Sequence, residues 1–208
     1  MGDMPTAGKI DLYKLHKSEY VTPKKPVFVD IGPAKYLSIS GQGSPAGADF
    51  QAKMGALYGA AFTMKFASKF AGQDYSVCKP EGIYWTDEGA CGFRTIPIEK
   101  WHWDLIIRVP DFVAAPLLKA AQAKLKAKET PHAAELKLKT LREGRCAQML
   151  HVGLYSEEMA TIDKMIAFAQ EAGLEFGDTH HEIYLSDPRR VAPEKLRTIL
   201  RIPIRKAK

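Results

Sequence analysis

An α+β fold built as a tandem pair of β-α-β-β modules is predicted by three features of the 208-residue sequence. A strand-like stretch closing on Gly41 and another closing on Gly153 are each followed by a long amphipathic segment and then by further strand-like stretches. The run Trp101-His102-Trp103-Asp104-Leu105-Ile106-Ile107-Arg108-Val109 is apolar at odd positions and mostly polar at even ones, the period of a two-faced strand. The offset between the two glycines, 112 residues, is too long for a solenoid and points to two similar half-domains.

In chain order, residues 1–25 form a polar, Lys-rich extension, and residues 26–208 a single domain: a first half over 26–115, a helical connector over 116–140 and a second half over 141–208. Val27 to Ile31 and Lys35 to Ser40 read as strands about a Gly32-Pro33 turn, and the Gly/Ser/Pro-rich run from Gly41 to Gly47 as a loop. Asp49 is placed as the N-cap of a helix reaching Phe70 and closed by Gly72. That helix carries two apolar rows. Phe50, Met54, Leu57, Ala61 and Met64 form the core row; Tyr58, Phe62, Phe66 and Phe70, four apart, either add to the core or line a cavity. A strand over 75–85 is broken by Pro80-Glu81-Gly82, and the alternating strand ends at Pro110. The Lys/Ala/Leu-rich connector breaks near Pro131. Cys146 to Gly153 is a strand, and a helix begins near Ser156 with acidic residues in its first turn and ends at Gly173. Strands over 179–186 and 196–205 complete the second half.

Composition narrows the function classes. With 46% hydrophobic and 10% aromatic residues the chain can bury a core, which excludes disorder as its dominant state. No apolar run approaches the roughly 18–20 residues of a membrane span, and Met1 to Pro5 lacks the features of a signal peptide, so a cytoplasmic protein is expected. Cys78, Cys91 and Cys146 have no CxxC spacing, which argues for free thiols and against structural zinc. Much of the formal charge of +6 lies in residues 117–145, where eight basic residues face three acidic ones. No nucleic-acid-binding motif accompanies them, and a solvated helix face accounts for the excess. Neither direct nucleic-acid binding nor a membrane is expected.

The strand over 179–186 carries the chemistry. Period-2 geometry sets His180, Glu182, Tyr184 and Ser186 on one face, and His181, Ile183 and Leu185 on the other. Ile183 and Leu185 are expected to pack under the helix, leaving Glu182 and Tyr184 on the opposite face, in a seam between the modules. Aromatic surfaces from Trp101, Trp103, Trp85, Tyr58 and Phe62 would make that seam an apolar groove with few polar groups. A carboxylate among rings attracts a cation, through direct charge and through the negative ring faces. The competing reading is a cross-strand ion pair of Glu182 with Arg197, Arg201 or Arg205. His180-His181-Glu182 does not form a metal cluster as a run, because neighbouring strand residues point to opposite faces; no metal or other cofactor is expected. His102 and His151 stand alone, Gly41-Gln42-Gly43 lacks the rest of a phosphate loop, and no GxSxG elbow accompanies Ser186, Asp187 and His180.

The segment from His181 to Pro188, continued by Pro193 to Arg201, resembles the C-terminal signature of the GyrI-like small-molecule-binding proteins. The stretch Trp101 to Phe112 resembles a second block of the longer, stand-alone branch, and with the order of elements the likeness spans about 25–205. The resemblance implies a tandem pair of β-α-β-β modules enclosing an aromatic groove with a central glutamate, at the position of Glu182, with Tyr184 beside it. The family is similar to effector-binding domains of multidrug-sensing transcription regulators, and residues 1–25 are too short for such a regulator's DNA-binding domain.

Three functions follow as expectations. The first is a stand-alone multidrug-type binding protein that takes hydrophobic, often cationic aromatic compounds against Glu182. The second, implied by stand-alone relatives, is a hydrolase that opens cyclopropane-containing DNA-alkylating natural products for detoxification, with Glu182 as general base and Tyr184 placing water or donating a proton. The third is a protein-interaction module such as a gyrase inhibitor, supported only by the basic connector.

Overall fold

The computed structural model describes residues 8–207, apart from the side chains of Ala90 and Cys91. The reading of the N-terminus as carrying no signal peptide falls on residues 1–7, outside that range, as does the side chain of Cys91; Cys78 and Cys146 are buried, free thiols. In chain order the elements are α1 (Leu12–Leu15), β1 (Val27–Ile31), β2 (Ala34–Gln42), α2 (Ala48–Phe70), β3 (Glu81–Trp85), β4 (His102–Arg108), α3 (Ala115–Lys126), β5 (Lys137–Leu141), β6 (Gly144–Val152), α4 (Glu158–Glu171), β7 (Leu174–Phe176), β8 (His180–Tyr184) and β9 (Arg197–Lys206).

Local chemistry sets the element ends. Helix α2 is capped by backbone at Gly47 rather than by the Asp49 side chain, which lies inside the first turn and pairs with Lys53. Gly72 and Gly173 sit just beyond α2 and α4 at φ of 85° and 69°, which only glycine adopts without strain. The connector is not helical throughout. Lys137–Leu141 becomes an edge strand on β2, with Leu138 packed on the helix-covered core and Leu141 on the opposite face.

The strands join in the order β1-β6-β9-β8-β3-β4-β2-β5, every pairing antiparallel, with β7 on β9. The two expected sheets are therefore one, fused through β3 and β8. The first strand of each half crosses over, β1 pairing with β6 and β5 with β2. A tight type I′ hairpin needs positive φ at both central residues, and neither Gly32-Pro33 nor Arg142-Glu143 supplies that.

Connectivity then forces curvature. In a flat sheet β1 and β2 would lie about 29 Å apart across six strand spacings. The link from Ile31 to Ala34 spans at most about 11 Å, and Leu141 to Gly144 repeats the constraint between β5 and β6. The sheet curls until its edges approach.

All the larger helices lie on the convex face. Helices α2 and α3 cover β2, β4 and β5 through Leu37, Ile39, Trp103, Leu105 and Ile107 against Phe50, Leu57, Met64 and Leu125. Helix α4 covers β6 and β9 through Met149, Leu200 and Ile202 against Met165. Between α2 and α4, strands β3 and β8 form the floor of a trough.

The concave face holds Tyr36, Ile83 and Ile106 together with a buried polar network. The N-terminal segment is not a detached extension. It lies across this interior: Arg108 donates to the Glu19 carboxylate at 2.7 Å, and Gln148 donates to the Val21 carbonyl at 2.8 Å. Arg201, fully buried, donates to the Glu19 carbonyl. Among the described residues no helix is long and apolar enough to cross a membrane.

Candidate functional site

Register fixes which side chains share the trough. Gly82 lies opposite Glu182 and Tyr84 opposite His180 between β3 and β8, while Glu182 and Tyr184 face Leu200 and Thr198 on β9. Leu200 packs under α4, so His180, Glu182 and Tyr184 lie on the helix-bearing face. This corrects the expected arrangement. Ile183 turns into the concave interior, because the curled sheet offers an apolar inside that two flat half-sheets would not. The Glu182 side chain is 13% exposed.

Glu182 accepts a hydrogen bond from His180 Nε2 at 3.1 Å, and the Tyr184 hydroxyl and the Glu158 carboxyl lie beside it. Tyr184 Oη lies 2.5 Å from Tyr84 Oη. Either phenol can donate in this contact, which sets the two hydroxyls beside the Glu182 carboxylate. Burial, then the charge of Glu182, raises both hydroxyls well above the usual phenol range. Gly82 makes room for the phenol pair: a Cβ there would stand 2.7 Å from Tyr184 Oη and 2.7 Å from the Tyr84 ring.

Glu158 comes from the first turn of α4 and is buried; burial and then the charge of Glu182 raise its carboxyl well above the ordinary value. Donor atoms of Glu158, His180 and Glu182 lie within 4.8 Å of one another, close enough to share one proton or one cation. Glu158 Oε1 and His180 Nδ1 are buried without partners. Among the described residues no lysine or arginine is bonded to either carboxyl, and the predicted pairs do not form: Arg201 bonds Glu143 on the other face, and Arg205 bonds Glu175.

Rings line the trough unevenly. Tyr155 meets Tyr184 edge-on at 5.9 Å, and the charge of Glu182, after burial, raises its hydroxyl to about 12. Phe93 reaches His180 and Trp101 from the loop between β3 and β4, at 6.0 and 4.8 Å between rings; that loop is tied to α4 by Arg94 and Asp163. Tyr58 is half-buried on α2 near Asp187 and Arg189 of the loop after β8, stacked on Phe62, which is 46% exposed. The second aromatic row of α2 is thus neither core nor closed cavity but an open lip.

Two predicted lining residues lie elsewhere. Trp103 is fully buried beneath α2, its ring over Gly41 and its Nε1 donating to the Gly43 carbonyl at 3.0 Å. Trp85 alternates to the concave face, where it lines a cavity of about 510 Å³ with Ile83, Leu141 and Arg142. Sequence reasoning missed Glu158, Tyr84, Tyr155 and Phe93 as site residues. Tyr84 was legible from the two-residue alternation of Gly82 and Tyr84. Glu158 and Phe93 had no local signal, since only the packing of α4 and of the β3–β4 loop brings them in.

Residues 119–205 match the GyrI-like small molecule binding domain. Over nearly its whole length the chain is similar to the crystal structure of a conserved protein from Listeria innocua, at 36% identity and a TM-score of 0.87, covering 95% of this chain and 100% of that one. The chain belongs to the GyrI-like family. A second Listeria innocua structure, described as a hydrolase, is similar to this GyrI-like chain at 36% identity and a TM-score of 0.85 over the same shares of both chains. The C-terminal domain of EcmrR shares the fold at 8% identity and a TM-score of 0.59, covering 88% of this chain and 98% of that domain. No curated protein matches the sequence. Membership makes the trough of this GyrI-like chain the natural place to look for small-molecule binding, since there the polar groups converge among rings.

Proposed function

We propose that the trough between α2 and α4 takes up hydrophobic, often cationic aromatic compounds, with Glu182 as the charge on its floor. One observation carries this reading: a nearly buried carboxylate is held by His180, beside Tyr184 and among aromatic rings, with no lysine or arginine bonded to it among the described residues. A positive guest would supply the missing countercharge, and ring walls demand little directional bonding, which suits broad specificity. Trp101, Tyr58 and Phe62 are proposed as walls beside Tyr155 and Phe93. The test is a fluorescence titration with rhodamine 6G, a cation whose charge does not vary with pH. At an effective dielectric of about 20 a charge pair about 6–12 Å apart, as for a cation spread over fused rings, is worth about 1.4–2.7 kcal/mol, so Glu182→Gln should weaken binding about ten- to hundredfold. Equal affinity of the two proteins would remove the reading.

A second reading, hydrolysis, is favoured by the pair of bonded phenols beside the Glu182 carboxylate and by the 36%-identical relative described as a hydrolase. Glu182 would take a proton from a water whose oxygen bonds to a cyclopropane carbon. The strained C–C bond breaks, its electron pair passes into the conjugated ring system, Tyr184 protonates the oxygen that becomes phenolic, and Glu182 returns to Tyr184 the proton it took from water. General-base help of this kind is worth about 10²–10⁴-fold. Mass spectrometry of a cyclopropane-bearing alkylator incubated with the protein should find a product heavier by one water. Glu182→Gln should bind the neutral compound yet leave it intact. No product above the buffer rate would eliminate hydrolysis and leave binding.

A further inference from the structure

We propose that Glu158 is a positioning residue for Glu182: it donates the one proton held between two buried carboxyls and so fixes Glu182 as the anion that faces the trough. This rests on the proposed role of Glu182 and names the group that makes that role workable. Glu158 is placed by the packing of α4, not by β8, and its carboxyl meets Glu182 directly while standing 4.0 Å from His180 Nε2. Two carboxylates cannot both ionise in a buried contact without a cation between them, so one keeps its proton. The surroundings decide which. His180 Nε2 donates to Glu182 at 3.1 Å but stands 4.0 Å from Glu158, whose Oε1 has no donor at all, so the negative charge settles on Glu182 and the proton on Glu158. The groups facing Glu158 are Glu182, His180 and Tyr184 of β8, Tyr84 of β3 and Tyr155 of the preceding turn. None of these contributes a lysine or arginine.

The test compares Glu158→Gln, Glu158→Ala and Glu182→Gln by rhodamine 6G titration from pH 5 to pH 10. In the wild type the affinity should step up, about tenfold, as rising pH takes the proton from Glu158 and adds a second negative charge. Glu158→Gln keeps a hydrogen-bond donor without a titrating proton. It should bind within about threefold of wild type below that step, with the step itself gone. Glu158→Ala should lose about tenfold at neutral pH because Glu182 is no longer pinned. Circular dichroism establishes that each variant is folded. Wild-type behaviour of both Glu158 variants, step included, overturns the inference. If Glu182→Gln itself binds like wild type, the failure belongs to the proposed function instead.

Discussion

Inside the curled sheet, His181 should make folding stability fall with alkaline pH, by an amount the geometry allows one to work out. His181 Nε2 meets Glu81 at 2.9 Å and Nδ1 meets Glu143 at 2.8 Å, the His181 ring being 1% exposed. Burial alone would lower the imidazole, but the two carboxylates carry it up to about 9 from 6.5. Arg201 bonds Glu143 as well, and burial of that carboxyl is outweighed by His181 and Arg201, which hold it down to about 2. A raised histidine stabilises the fold fully below its unfolded value and loses that contribution as pH climbs through its folded one. A shift of about 2.5 units corresponds to about 3 kcal/mol, present at pH 6 and nearly gone by pH 9.5. The Glu143 shift contains the same contact and is not additional; it sets the acid limb, where stability is lost as pH falls from 4.5 toward 2. Urea denaturation at half-unit steps from pH 6 to 10 would show the decline, and His181→Gln, though weaker throughout, should decline less steeply. A wild-type profile flat between pH 6.5 and 9.5, or one with the same slope in the variant, would refute the charged, doubly paired imidazole.

Two glycine substitutions probe the packing around the site. Gly41→Ala puts a methyl 2.2–2.7 Å from three Trp103 ring atoms, and the ring cannot swing away because Phe50 packs edge-on to it at 4.9 Å. It should cost about 3 kcal/mol, lowering the melting temperature by roughly 6–12 °C with a red-shifted tryptophan emission; an unchanged melt would mean Trp103 is not packed on β2. Gly82→Ala should part the Tyr84–Tyr184 pair for about 1–3 kcal/mol and weaken rhodamine 6G binding about tenfold. Undiminished affinity would detach the phenol pair from the binding floor.

The placement of β8, β4 and α2 and the family resemblance were legible because each rests on short-range periodicity: two residues for a strand, 3.6 for a helix, a glycine where a helix stops. Even the grouping of His180, Glu182 and Tyr184 on one face followed from alternation alone. Which face that was did not follow, because alternation is blind to what lies above and below a strand. The helices proved to share the Glu182 face, and Ile183 was buried on the opposite one, across from Ile199.

By itself, then, the amino-acid order determined most of the elements, though not α1, β5 or β7, and the grouping of Glu182 with Tyr184 on one strand face. The tertiary structure decided three further things. It sent β1 and β5 across to opposite edges, where they pair with β6 and β2. It removed Trp103 into the core and turned Trp85 to the far face. It delivered Glu158, more than 20 residues before Glu182, into contact with it. Contacts between segments distant in sequence depend on how whole elements pack, and no local period encodes that.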